Sequence, residues 1–205
     1  HRTIERSAAA AMLWPDKPPA DAGTNLRVTL GHLHRSVAPA VGTVRWLHVC
    51  SGTLALAVGA VEIDLDEFQR MVRRMRSAER AGDADSVLRC ARQALAWYRG
   101  DYLAGIDADF CMFERIRLQT VAYEVAVTGA TVASRVGQHD LAVDLACRGL
   151  AIEPLGDAAA FVLIDALAAR GCTSAAEQAR ERHRAALIEA GLDARSFAQR
   201  VERVA

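Results

Sequence analysis

Twelve positions from Thr24 to Arg35 hold most of the side chains in this chain that could do recognition chemistry: Thr24, Asn25, Arg27, Val28, His32 and Arg35. Leu26, Leu30, Leu33 and Val37 recur at helical spacing, so a helix turns them to one stripe. The opposite face then carries Thr24, Val28, Gly31, His32 and Arg35, flanked by Asn25 and Arg27. Arginine can engage both major-groove acceptors of guanine and asparagine can read adenine, while threonine and valine can meet the thymine methyl. Gly31 inside such a helix costs about 1 kcal/mol relative to alanine. A close approach of backbone to a ligand would account for it. An ordinary solvated face is the alternative reading of the same residues.

The neighbouring elements suit such a helix. An alanine-rich stretch, 3–13, is expected to be helical and to end at Trp14-Pro15, where proline stops regular hydrogen bonding. Asp21 is the expected N-cap of a helix over 22–37, closed by Pro39 and Gly42. Residues 44–49 and 53–58 are β-compatible runs joined by Cys50-Ser51-Gly52, which predicts a hairpin with Arg45 and His48 beside the helix. Two helices at an angle followed by a hairpin is the order of a winged helix's second half.

A boundary falls at Glu62-Ile63-Asp64, where Asp64-x-x-Glu67 has the spacing of a capping box and Ile63 and Phe68 that of a hydrophobic staple. Helices are expected over 64–80, over 84–98 with Gly100 as a left-handed stop, and over 109–135. The last third repeats. Gly137 and Gly171 are 34 positions apart, as are Ala142 and Ala176, the spacing of tetratricopeptide helix pairs. Gly149 and Pro154 complete the first unit, and His183 stands where Gly149 would recur in the second.

Composition limits the function classes. The 205 residues are 52% hydrophobic and 5% aromatic, with zero formal net charge, which excludes a uniformly basic nucleic-acid binder. The distribution is uneven: residues 1–60 hold six basic and three acidic side chains (+3), leaving 19 and 22 (−3) for the remainder. A mildly basic head on an acidic helical body suits a DNA reader joined to a protein-contacting module. Five cysteines without a Cys-x-x-Cys pair read as free, mostly buried thiols of a reducing compartment. No apolar run approaches a membrane span. The chain starts at His1, which suggests a piece cut from something longer.

Catalytic patterns are missing from the sequence. His183 lies in Glu181-Arg182-His183-Arg184 with no second ligand at metal spacing and is expected on a surface helix face. Asp107-Ala108-Asp109 lacks the glycine and further oxygens of a calcium loop. Trp97-Tyr98-Arg99-Gly100-Asp101-Tyr102 could pass for a ligand box, yet aromatics closing a helix are more often core. There is no phosphate loop, dinucleotide fingerprint or nucleophile elbow. No catalytic residue, metal site or cofactor is expected, and an enzyme is disfavoured.

Taken in order, Leu13-Trp14-Pro15-Asp16, the helix from Asn25-Leu26-Arg27 to Leu33, Ile63-Asp64-Leu65 to Phe68, and Tyr98-Arg99-Gly100-Asp101-Tyr102-Leu103 form a series. It continues through Glu114-Arg115-Ile116-Arg117-Leu118, Gly137 to Ala142, Pro154-Leu155, and Gly171 to Ala176. This series resembles the bacterial transcriptional activator domain family, the helical partner of winged-helix domains in antibiotic regulatory proteins. Phe110 replaces the tryptophan usual before the Glu-Arg pair, and Asp157 stands for the acidic residue after Pro-Leu. The resemblance implies a mainly α, N-terminally truncated chain. Residues 1–60 would be the C-terminal half of a winged-helix DNA-binding domain, and 61–205 an all-α, tetratricopeptide-like activator domain. It further implies operator DNA as ligand, read by Thr24, Asn25, Arg27, Val28, His32, Arg35 and Arg45. RNA polymerase and a second copy would be the protein partners, with no membrane, in the cytoplasm. A protein-interaction or sensor module of a larger signalling regulator, without DNA binding of its own, is the competing reading.

Overall fold

The computed structural model describes residues 3–42, 44–57, 59–194 and 197. Among them the order is β1 (Thr3–Glu5), α1 (Arg6–Leu13), α2 (Pro19–Val41), β2 (Leu47–Val49), β3 (Thr53–Leu56), α3 (Asp64–Arg80), α4 (Ala84–Trp97), α5 (Asp109–Arg135), α6 (His139–Ile152), α7 (Asp157–Ala169) and α8 (Thr173–Glu189). The fold is mainly α: a partial winged helix-turn-helix followed by a tetratricopeptide-like helical array. Backbone contacts divide the chain into one unit of His1–Ile63 with Asp107–Phe110, and a second of Asp64–Ile106 with Cys111–Ala205.

In the first unit the expected hairpin forms, with Leu47 opposite Leu56 and Val49 opposite Leu54. Val58, the end of the expected run, lies outside the described residues. β3 is the central strand, because residues 3–5 pair with it rather than opening a helix: Ile4 faces Leu54 in a sheet of order β1-β3-β2. Tertiary pairing here outweighs local helix preference. Helix α2 is also longer than its sequence signals suggest. It starts at Pro19 with Pro18 at the cap, since a proline at the first position has no N–H to leave unpaired. Asp21 sits in the first turn, where its charge suits the helix dipole. At the other end Pro39 is carried inside the helix, which stops at Gly42 with φ 59°.

The second unit stacks helix pairs. Phe68, Met71 and Met75 of α3 join Leu88, Ala91 and Leu95 of α4, Val125 and Ala126 of α5 and Leu145 of α6 in one core. Small residues allow that closeness. A methyl on Gly129 would meet Ala91 on one side and Leu145 on the other at 3.0 and 3.1 Å. Arg148 of α6 donates to the Leu95 carbonyl at 2.7 Å, and Gln119 of α5 to that of Ile152 at 2.9 Å. Gly137 and Gly171, the 34-residue pair, occupy equivalent turns with φ 77° and 76°.

Some local expectations need correcting. At Asp64 the carboxylate accepts from the Leu65 amide and Glu67 pairs with Arg70, so the two do not form a reciprocal box. Helix α4 ends at Trp97, with Tyr98 already extended; Gly100 lies beyond, in the loop. All five cysteines are free, but only Cys90 and Cys111 are buried, whereas Cys50 and Cys147 are exposed.

Candidate nucleic-acid interface

Helix α2 is held by one face only. Ala22 and Leu26 are buried with Ala9, Ala10 and Leu54, and Trp14 and Leu30 lean on the cluster. Leu33, expected on the same stripe, is 41% exposed. The eight residues of α1 span about 12 Å by helical rise and so cannot cover the 23 residues of α2.

The remaining faces point to solvent. Thr24, Arg27, Val28, His32 and Arg35 are exposed, Asn25 is half-buried, and Arg45 is exposed at the foot of the hairpin. Thr24 Oγ donates to the Ala20 carbonyl at 3.0 Å, so towards any ligand this hydroxyl is left as an acceptor. Arg35 Nη2 lies 3.2 Å from His32 Nδ1, orienting the guanidinium along the helix. Among the described residues, no carboxylate lies within ion-pair range of Arg27, Arg35 or Arg45. Two cations on one exposed helix face without a counter-charge are a ready partner for phosphate or base edges.

Gly31 lies on this surface. A methyl built there would meet the Arg35 guanidinium, at 3.8 Å, so nothing among the described residues requires glycine. Two residues that the sequence did not single out as partners set the hairpin against α2. The rings of His34 and Trp46 are 6.3 Å apart and 20° from parallel, and Trp46 is buried. Trp46 accepts from the Ala57 amide through its carbonyl, and the Gly52 carbonyl accepts from Arg6 N–H, tying the turn to the start of α1. Such a pair is invisible to spacing rules, because it joins a helix residue to a loop residue twelve positions on.

The other weighed motifs resolve as structure. Phe68 and Tyr98 rings lie 5.8 Å apart, and Tyr98 and Tyr102 pack on the main core, burial raising the pKa of both phenols. Arg115 donates to the carbonyls of Tyr102, Leu103 and Ile106 and so shapes the loop before α5, in which Leu103 has φ 49°. His183 is not on a surface face: it is 5% exposed, with Nε2 3.0 Å from Asp157 Oδ1. Among the described residues no cluster of three or more His, Cys, Asp or Glu could hold a metal ion, and no helix is long and apolar enough to cross a membrane.

The model of the bacterial transcriptional activator domain matches residues 63–204, which takes in α3 to α8. The chain belongs to that family. The regulatory protein DnrI of Streptomyces peucetius is 28% identical over 138 residues, 62% of this chain and 49% of that protein. Among solved structures, Mycobacterium tuberculosis EmbR in complex with a low-affinity phosphopeptide superposes with a TM-score of 0.73 at 20% identity, covering 99% of this chain and 55% of that one. This second likeness concerns fold. The activator-domain chain thus spans about half the length of DnrI and of the EmbR chain.

Proposed function

We propose that this chain is the part of a transcriptional activator that reads operator DNA with α2 and makes its regulatory protein contacts through the helical array. Residues 1–60 are the C-terminal half of the winged-helix domain and 61–205 the activator domain. In this reading α2 lies in the major groove, with Asn25, Arg27, Val28, His32 and Arg35 towards base edges and Thr24 at the groove entry. Arg45, at the hairpin, reaches a flanking phosphate. No bond is made or broken; the array raises promoter occupancy by holding a second copy and RNA polymerase, in the cytoplasm. Family membership supports the regulatory role. The observation that carries the DNA reading is the exposed α2 face, on which Arg27 and Arg35 stand without an acid partner among the described residues.

The test uses duplexes enriched from a random-sequence pool by the full-length protein. Replacing Arg27 and Arg35 together by alanine lowers affinity by at least about tenfold and flattens the salt dependence by up to about two phosphates' worth. Helix content by circular dichroism stays unchanged. Unaltered binding by the double variant removes the assignment of α2. An intact protein whose affinity for DNA does not fall with salt favours the interaction-module reading instead.

A further inference from the structure

A groove of about 590 Å³ opens in the second unit where the C-terminal end of α5, the middle of α7 and the start of α8 converge. Each helix contributes one face, at spacings of three and four: Thr131, Ser134 and Arg135 from α5, Ile164, Asp165 and Ala168 from α7, and Ala176, Glu177 and Arg180 from α8. Its size is that of a small-molecule site. Phe161, Val162, Ile164, Ala168 and Ala176 make its wall mainly apolar.

The polar groups at the rim are unevenly committed. Asp165 Oδ2 accepts from Ser134 Oγ at 3.0 Å, and Thr131 Oγ donates back to the Val127 carbonyl at 2.9 Å. Glu177 accepts from Arg180 Nη2 at 2.8 Å. Arg180 Nε, however, is buried without a hydrogen-bond partner, and Arg135 has no acid within ion-pair range among the described residues. Asp165 and Glu177 are each held within the protein, whereas Arg135 has no acid partner among the described residues and Arg180 is engaged through Nη2, towards Glu177.

We propose that this groove is a ligand site for a small amphipathic anion, with an apolar ring system or chain lying along Phe161 and Ile164 and one acidic group held by Arg135 and Arg180. Such a ligand bridges α5 to α7 and α8, so it stiffens the array where these three helices meet. The site goes beyond the DNA reading and stands or falls without it.

The probe is anilinonaphthalene sulfonate, an apolar double ring with one anionic group, titrated into the full chain by fluorescence and calorimetry. Saturable one-to-one binding is expected. Ala168→Trp fills the groove from an exposed position of α7 and abolishes binding while leaving the melting transition cooperative. Arg135→Gln with Arg180→Gln weakens the sulfonate by about tenfold or more and leaves phenylnaphthylamine, the same body without the anion, unaffected. Failure of the wild-type chain to bind, or binding indifferent to Ala168→Trp, overturns the site. Equal losses for charged and neutral probes overturn the anion assignment. A dimer that the probe dissociates and Ala168→Trp also disrupts assigns the groove to a second copy instead, and overturns the small-molecule reading.

Discussion

His183 of α8 and Asp157 in the first turn of α7 meet at 3.0 Å between Nε2 and Oδ1, and the His183 ring lies 4.6 Å from that of Phe197. In the 34-residue register His183 is the counterpart of Gly149, where a methyl would meet Ala159 at 3.0 Å and Ala126 at 3.6 Å. One repeat position thus serves close helix approach in one unit and a polar clasp in the next. His183→Ala is expected to destabilise the fold by about 2–4 kcal/mol through lost packing and a lost hydrogen bond. Asp157→Asn, which keeps an acceptor, should cost less. Urea midpoints with unchanged slopes measure both, and a His183→Ala midpoint equal to wild type would contradict the clasp.

Gly31→Ala separates stability from recognition. The added methyl has room, and removing an interior helical glycine is worth about 1 kcal/mol, so the first unit's melting temperature should rise. If α2 brings its backbone against DNA at this point, affinity for the selected duplex falls in the same variant. A more stable protein with unchanged affinity would place Gly31 away from the nucleic acid.

Gly156 and Tyr123 are a coupled pair. A methyl on Gly156 would fall on the Tyr123 hydroxyl and ring, with ring carbons at 2.6 and 2.7 Å, while that hydroxyl accepts from the Ala159 amide at 3.3 Å. Gly156→Ala should cost about 1–3 kcal/mol by overpacking, and much less once Tyr123 is already leucine. A double-mutant cycle reads the coupling directly. Additive losses would mean that the two residues do not share space.

Asp83 caps α4, and Ser86 holds its carboxyl below the ordinary aspartate range, first through the hydroxyl and then through the amide, which donates at 3.0 Å. A carboxyl depressed by folding contributes stability that is complete above its unfolded value and is lost as pH falls through its folded one. Asp83→Asn retains a capping oxygen, so melting at neutral pH should change little. The acid limb, below about pH 4, should flatten. Superimposable acid limbs for the two proteins would show that Asp83 does not titrate with folding.

Much of this architecture is legible in residue spacing. The bounds of α3 and α5, the hairpin and the two equivalent glycine turns follow from local chemistry, namely acidic helix starts, β-branched runs and positions that need positive φ. What spacing hides is set by distant partners. Thr3–Glu5 becomes a strand because β3, about fifty residues later, offers an edge. His183 looks like a surface histidine in a charged run until α7 supplies Asp157. On α2 the outward face could be read, since Leu26 and Ala22 mark its opposite. The support that Trp46 and His34 give the hairpin could not, nor could the placing of Arg135 and Arg180 on one groove.

The turns after α3, α5, α7 and α8 have one geometry: Gly82, Gly137, Gly171 and Gly191 have φ between 71° and 77°. At each, the glycine amide bonds three residues back and the next amide five back. The same joint closes three helix pairs, α3–α4, α5–α6 and α7–α8, as in repeat arrays whose units stack on their neighbours. Unravelling of such an array starts at an end and travels inward. Evolution can therefore add or remove a whole pair without inventing a new turn inside it.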